Sequence, residues 1–410
     1  MAAKDGGLSL HIPAPKARPG ETPDFSHIVI PPAGETPRPA IDTAPAEMRD
    51  LAYGLIRVLD DEGTAVGPWA LKLEPDVLRR ALRAMMLTRV FDNRMFAAHR
   101  QGKVTFFIKS TGEEAIGVAQ SMVLRKGDMN FPSYRTTSFL MEREYPLLDM
   151  FNQNLATADD PLQGRQLPIL YSAKAYGFYT LSGNVGSRFH HAVGWAMASA
   201  YRGDTKIALA CIGDGTTAEN EFHTALTFAT VYRAPVILTV TNNQWAISSF
   251  QGIAGGESTT FAARGVGYGL PALRVDGNDF LAVYAATQWA AERARANLGA
   301  TVIEMVSYRA EGHSTSDDPT RYRPIDEATH WPLGDPIERL KGHLTKLGEW
   351  SDERHEQLYA ELTDTITEVY RQADAVGALG VSKPPVGEMF ENLFATPDWR
   401  LLEQRKELGV

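Results

Sequence analysis

Asp214 and Asn243 have the residue types to hold a metal ion, and each closes an apolar run. Asp214 sits in the turn Gly213-Asp214-Gly215, directly after the run 206–212. Asn243 is the second residue of Asn242-Asn243, just beyond the run 236–240. A carboxylate and an amide oxygen are hard ligands that suit Mg²⁺, which takes few protein ligands and completes its octahedron with waters and phosphate oxygens. Thr216 and Glu219 have capping-box spacing, which predicts a helix N-terminus just after the turn. Such a terminus favours an anion, and Gly215 leaves room for phosphate oxygens near the backbone. The expected ligand is a diphosphate bridged through Mg²⁺. Further along, the charged, short-side-chained segment 308–323 carries Arg309 and His313. The guanidinium suits phosphate, and the imidazole suits proton transfer near neutral pH. Ser133, Tyr134 and Arg135 follow Pro132 in a sharp turn and add a hydroxyl donor and a second guanidinium fork. Each of these also has an ordinary reading: a tight turn, a structural loop histidine, a surface arginine beside a half-buried tyrosine.

The elements around these residues alternate in a way that would bring them together. Residues 206–212 and 236–240 read as buried strands, and Phe222, Ala225, Ala229 and Tyr232 between them keep helical spacing. A strand–helix–strand unit with a right-handed crossover puts both strand ends at one edge of a parallel sheet, where ligands of such sheets bind. Strands at 272–275 and 301–306 and helices at 258–267 and 280–297 extend the pattern. Upstream, 75–100 is a strong amphipathic helix, 104–108 reads as a strand and 112–123 as a helix. A helix at 185–201 is rich in Gly and Ala, which permits close backbone packing. Two more helices are predicted at 336–347 and 352–376, and the polar end with Met389, Phe390 and Trp399 reads as packing or subunit contact. The fold class is α/β, a doubly wound, mostly parallel sheet. Residues 1–70 form an irregular N-terminal arm, 71–330 the α/β domain and 331–410 a helical packing region. The Pro- and Gly-rich stretch 1–48 cannot order itself alone and is expected to stay loose or wrap a partner subunit.

Composition narrows the partners. A net charge of −9 argues against nucleic acid or an anionic membrane as a partner. The single cysteine, Cys211, lies in an apolar strand and reads as a packed thiol. No apolar run has the length of a transmembrane helix, and the first twenty residues lack the apolar core of a signal peptide, so a cytoplasmic protein is expected. No G-x-G-x-x-G opens a helix after the first strand, which argues against a nicotinamide-binding dehydrogenase.

The stretch from the Gly-Asp-Gly turn to the paired asparagines resembles the diphosphate-binding domain of thiamin-dependent 2-oxo acid dehydrogenases. RAEGHSTSDDP…RYR resembles the active-site loop of the branched-chain decarboxylase alpha subunits. The resemblance spans about residues 70–330 strongly and the C-terminal helices weakly. It implies Asp214, Asn243 and the backbone carbonyl of Trp245 as Mg²⁺ ligands. It places Ser133, Tyr134, Arg135, Gly213, Gly215, Thr216, Arg309 and His313 on thiamin diphosphate, with Ser182, Gly183 and Val185 at its aminopyrimidine and the supporting loop. His313 and Arg309 become the catalytic pair, and Ser314 occupies a position that is a kinase target in some relatives. That supporting loop often binds a monovalent cation in relatives; Arg188 stands where a neutral ligand is expected, and its charge is expected to replace the ion. Thr241 replaces an arginine that some relatives carry before the asparagines, leaving Arg135, Arg309 and His313 to balance the phosphates. Phe106 and Tyr134 are expected to line an apolar substrate pocket.

The implied reaction is decarboxylation of a branched-chain 2-oxo acid, with the acyl group passed to a lipoyl arm. Residues 1–70 and 331–410 cannot form another doubly wound sheet. The carboxylate that must face the cofactor's pyrimidine is therefore expected from a beta subunit, in an α₂β₂ assembly serving a lipoyl-bearing acyltransferase core. A pyruvate or acetoin dehydrogenase alpha subunit is the rival in chemistry. A non-catalytic cofactor-binding scaffold is the rival from another class.

Overall fold

The computed structural model describes residues 8–377 and 385–410. Residues 1–7 of the expected arm and 378–384 of the expected helical region lie outside the described residues. Five strands form one parallel sheet: β1 (Met129–Phe131), β2 (Ala208–Gly213), β3 (Val236–Asn242), β4 (Ala272–Asp276) and β5 (Thr301–Val306), in spatial order β1-β2-β3-β5-β4. Alternation along each strand sorts side chains to two faces. Leu209, Cys211, Ile237, Ile303 and Met305 belong to one core cluster, and Ala208, Ala210, Ile212, Val236, Leu238 and Val240 to another. The helices in chain order are α1 (Pro75–Arg100), α2 (Glu114–Val123), α3 (Thr137–Glu142), α4 (Leu147–Leu155), α5 (Ser187–Tyr201), α6 (Asn220–Val231), α7 (Phe261–Gly267), α8 (Phe280–Arg295), α9 (Pro336–Lys346), α10 (Asp352–Val376) and α11 (Trp399–Glu407). Helices α1, α2, α8, α9 and α10 contribute to the first cluster, α5, α6 and α7 to the second. The sheet is thus covered on both faces, as its uninterrupted burial requires.

Parallel pairing decides where the chemistry goes. Ala208 is in register with Val236 and Gly213 with Thr241; Ile237 pairs with Thr301 and Asn242 with Val306. Asp214, Asn243, Arg309 and the Ser133–Arg135 turn all follow the carboxyl ends of β2, β3, β5 and β1, at one edge. The β3–β5 pairing continues past the formal strand ends, with Ser307 N donating to Asn242 O at 2.8 Å and Arg309 N to Asn243 O at 3.2 Å. Gly112, at φ +98°, lies where a Cβ would overlap the Tyr308 carbonyl, so only glycine lets the start of α2 meet the end of β5.

Two local expectations are corrected. Residues 104–108 form no strand, because their backbone groups are taken by other partners. Thr315 N donates to Phe107 O at 2.9 Å, and Phe107 N donates to Thr315 Oγ1 at 3.1 Å, while Phe107 and Ile108 still bury in the core. The capping box at Thr216 also does not form. Gly215–Ala218 is a short 3-10 turn capped by Asp214, and α6 starts at Asn220 with Glu219 as its N-cap residue.

Residues 8–48 lie along their own chain. Trp69 Nε1 donates to Pro37 O at 3.1 Å, Trp289 Nε1 to Pro39 O at 2.9 Å and Arg57 Nη1 to Pro31 O at 2.9 Å. Gly34 and Gly67, both at positive φ, cross so closely that a Cβ on either would overlap the other's backbone. Ile56 then bridges Val275 in parallel at the open edge of β4.

Candidate active site

At the end of β2, Asp214 is buried and its two oxygens have different fates. Oδ1 accepts from Gly215 N at 2.7 Å, whereas Oδ2 is buried without a hydrogen-bond partner. Burial pushes the carboxyl up to about 7, with the charge of Glu113 adding to the rise and the Gly215 N–H opposing it. An unpartnered buried carboxylate oxygen is costly alone and fits a cation in contact with it. Across the crossover, Asn243 Nδ2 donates to Glu113 Oε1 at 2.6 Å. That bond orients the amide and leaves Oδ1 as its acceptor atom, reached by Trp245 N at 3.3 Å. Asn242 does different work: its Nδ2 donates to Gln251 Oε1 at 2.9 Å and Glu304 Oε1 at 2.8 Å, in a buried network beneath the site. The Trp245 carbonyl, the third expected metal ligand, accepts from Arg309 Nη1 at 3.1 Å and keeps its second lone pair.

Gly215 does not keep its space for phosphate, since a Cβ there would overlap that of Ala246. The glycine serves the packing of the turn on Trp245-Ala246, and the open position is Gly213, which has no atom within 4 Å of a Cβ direction. The N-terminus expected at Thr216 is likewise displaced; Thr216 is buried in the 3-10 turn, where its carbonyl accepts from Glu219 N at 3.0 Å.

Two buried guanidinium groups hold the 308–323 segment over this edge. Arg135 Nη1 donates to Lys109 O at 2.6 Å, and its Nη2 donates to His313 O at 2.7 Å and reaches His313 Nδ1 at 3.2 Å. Arginine only donates, so Nδ1 is the acceptor and a neutral His313 ring carries its proton on Nε2. Arg309 Nη2 donates to Tyr322 OH at 2.6 Å and lies 3.9 Å from Asp317 Oδ2. Burial lowers the Arg309 guanidinium to about 10, with Arg135 adding to the fall. Burial, then Arg135 and Arg309, push His313 down to about 3, so the ring is neutral near pH 7. Two cations beside a desolvated ring disfavour a third charge. Tyr134 sets its ring 5.8 Å from that of His313 at 82°, and burial raises its hydroxyl. Ser133 Oγ lies 3.3 Å from Thr136 Oγ1 and accepts from Arg135 N at 3.3 Å, fixing the turn.

The remaining expected residues occupy the rim. Ser182 is half-buried, and Gly183 and Val185 are exposed, before α5. Buried Arg188 turns back onto them, with Nη1 donating to Ser182 O at 2.6 Å and Asn184 O at 3.4 Å. A guanidinium therefore occupies the carbonyl cluster. Phe106 is half-buried against the main core, beside the Phe107–Thr315 contact that ties it to the loop. Ser314 is buried, and its Oγ accepts from Ser316 N at 3.2 Å.

Sequence reasoning missed several of the residues that organise this site. Glu113 is the N-cap residue of α2, and burial raises its carboxyl against the pull of Arg135, whose Nε lies 3.8 Å away. Two adjacent acids opening an otherwise apolar helix were the available signal. Asp317 Oδ2 accepts from His313 N at 2.6 Å and from Tyr322 OH at 2.5 Å, so one carboxylate fixes both ends of the loop. Lys109 Nζ pairs with Glu311 Oε1 at 2.7 Å. The partners of Glu113 and Lys109 lie 130 and 202 residues away, where no local spacing announces them.

A doubly wound parallel sheet with a carboxylate, an amide and two guanidinium groups at its carboxyl edge is the arrangement of a ligand-binding α/β protein, and the sequence match places it in the dehydrogenase E1 family. The chain belongs to that family: the family described as "Dehydrogenase E1 component" matches residues 82–382. Residues 7–46 match "2-oxoisovalerate dehydrogenase E1 alpha subunit N terminal". The chain is 58% identical over 404 residues to the 2-oxoisovalerate dehydrogenase subunit alpha of Pseudomonas aeruginosa, covering 98% of each. It is 33% identical over 362 residues to the mitochondrial subunit alpha of Mus musculus, covering 87% of this chain and 79% of that one. The mitochondrial subunit alpha 2 of Arabidopsis thaliana is also 33% identical, over 355 residues, 85% of this chain and 73% of its own.

Proposed function

We infer that this chain is the alpha subunit of a thiamin diphosphate-dependent decarboxylase acting on branched-chain 2-oxo acids of the 2-oxoisovalerate class. The observation that carries the site assignment is the buried, partnerless Oδ2 of Asp214 at a parallel-sheet edge. Family membership supplies the cofactor class, and the Pseudomonas, mouse and Arabidopsis relatives supply the substrate class.

Asp214, Asn243 and the Trp245 carbonyl would hold Mg²⁺. Gly213, where the backbone is open, would admit the diphosphate, with Gly215 and Thr216 shaping the turn behind it. Ser133, Tyr134, Arg135, Arg309 and His313 would hold the diphosphate, and Ser182, Gly183 and Val185 would hold the aminopyrimidine end. Bound thiamin diphosphate supplies the carbanion-stabilising chemistry of decarboxylation. The chain's own part is to bind, orient and exclude water. His313, held at Nδ1 by Arg135, offers an Nε2–H to an oxygen of the 2-oxo acid, and Arg309 keeps that loop against Trp245. Phe106 and Tyr134 form the apolar wall on this subunit's side. Residues 1–70 act as an arm, 71–330 as the catalytic α/β domain and 331–410 as a packing region.

A beta subunit completes the site in an α₂β₂ assembly that hands its acyl group to a lipoyl-bearing acyltransferase core. We place the assembly in the cytoplasm. No helix among the described residues is long and apolar enough to cross a membrane. The test is calorimetry of thiamin diphosphate with and without Mg²⁺, followed by rates of the reconstituted assembly on 2-oxoisovalerate and pyruvate. Mg²⁺-dependent binding and faster turnover of 2-oxoisovalerate are expected. Binding indifferent to Mg²⁺ refutes the site, and a preference for pyruvate refutes the substrate class. His313→Ala with full activity in that assembly removes the catalytic role.

A further inference from the structure

The N-terminal arm reaches the proposed cofactor site from behind, through a cluster of aromatic rings. Phe25 stands edge-on to Tyr308, with centroids 5.6 Å apart at 88°, and to Trp331, 5.2 Å apart at 81°. Tyr308 and Trp331 lie 5.2 Å apart. Two residues on, His27 stands edge-on to Phe250 at 5.9 Å, and Phe250 packs on Trp245 at 5.9 Å. Trp245 in turn packs on Tyr322 at 5.1 Å, the tyrosine whose hydroxyl accepts from Arg309. Phe25, Ile28 and Ile30 thus close a small apolar cluster formed by Leu55, Trp245, Phe250, Val306, Tyr308, Trp331 and Leu333. This cluster is separate from the two cores that hold the sheet.

Trp245 and the Tyr308-Arg309 pair are therefore gripped from two sides. On the site side Arg309 bridges to the Trp245 carbonyl; on the far side the arm packs on the rings of Trp245's neighbours and of Tyr308. The arm is also tied down near its start. His11 Nε2 lies 2.8 Å from Glu257 Oε2, and Ala14 N donates to Glu257 Oε1 at 3.2 Å. Edge-to-face aromatic pairs hold a preferred geometry beyond the area they bury, so this clamp fixes orientation as well as position.

We propose that Phe25 is a positioning residue for the cofactor site, setting the affinity for Mg²⁺–thiamin diphosphate by holding Trp245 and Arg309 in place without contacting the cofactor. This rests on the reading that the site holds that cofactor. The full chain, assembled with its beta partner, is compared as unaltered protein, Phe25→Ala, Phe25→Tyr and Trp289→Phe. Trp289→Phe removes the bond to Pro39 O, an arm contact outside the aromatic cluster. Calorimetry gives the cofactor Kd in Mg²⁺, and scanning calorimetry gives Tm.

Loss of two edge-to-face pairs predicts about tenfold weaker cofactor binding for Phe25→Ala. Phe25→Tyr, which keeps the ring, should return to within about twofold of the unaltered protein. Trp289→Phe should lower Tm and leave Kd unchanged. Unchanged Kd in Phe25→Ala overturns the inference, as does a loss in Trp289→Phe matching that in Phe25→Ala. If the unaltered assembly binds no Mg²⁺–thiamin diphosphate, it is the functional reading that fails.

Discussion

Replacing Asp214 by Asn should make the chain alone more stable at alkaline pH while abolishing its hold on a divalent ion. The carboxylate is buried, and Oδ2 has no donor facing it. Raising its pKa from the usual 3.8 to about 7 corresponds to a penalty of about 4 kcal/mol on the folded, charged form. The folded state binds the proton more tightly than the unfolded chain. Stability from this group is therefore fully present below about pH 4 and is lost as pH rises through about 7. Asparagine keeps an oxygen for the Gly215 N–H, which now bonds Oδ1. It leaves a buried amide N–H without a partner, which costs about 1–3 kcal/mol.

The net gain for Asp214→Asn at pH 8 is then about 1–3 kcal/mol, vanishing or reversing near pH 5. In a chain of 410 residues each kcal/mol moves Tm by only about 1 °C. Urea unfolding at pH 5 and pH 8, in the absence of Mg²⁺ and cofactor, is therefore the sharper assay. In parallel, Mg²⁺–thiamin diphosphate binding should weaken by at least about a hundredfold, since a direct ligand is removed. If the variant gains nothing at pH 8 relative to pH 5, Oδ2 carries no uncompensated charge in the folded chain. If it binds the loaded cofactor as before, the ion sits elsewhere.

His313 should remain neutral in the chain alone down to about pH 4, read from ring-labelled histidine by NMR, because burial and two guanidinium groups hold it at about 3. Its folded pKa lies below the unfolded value, so as pH falls below about 6.5 the native chain should lose stability relative to His313→Gln; a His313 inflection near 6.5 contradicts the geometry. Arg188 should make the assembly indifferent to K⁺, since its guanidinium already sits on the Ser182 and Asn184 carbonyls. Arg188→Gln should lower cofactor affinity and create a K⁺ response, whereas a K⁺ requirement in the unaltered protein removes this reading.

The sequence by itself determined four of the sheet's five strands and that Asp214 and Asn243 stand at its edge. The runs 236–240 and 301–306 are fully buried, 206–212 is buried from Ile207 on, and the helix at 75–100 carries a mostly apolar buried face, so those elements were legible. Parallel crossovers then oblige Asp214 and Asn243 to share an edge whatever the details. The strand Met129–Phe131 was missed because it is three residues long, too short to show a strand period in the sequence. The stretch 104–108 was misread because β-rich composition does not reveal that Thr315 will claim the Phe107 backbone.

Only the tertiary structure decided how the edge residues are held and charged. Glu113 orients the Asn243 amide from 130 residues away, Arg135 meets His313 across 178, and the arm's Phe25 reaches Tyr308 and Trp331. Local periodicity reports burial within one element. Protonation state, amide orientation and loop anchoring depend on charges and donors that other elements bring within a few ångströms, and these exist only once the chain has folded.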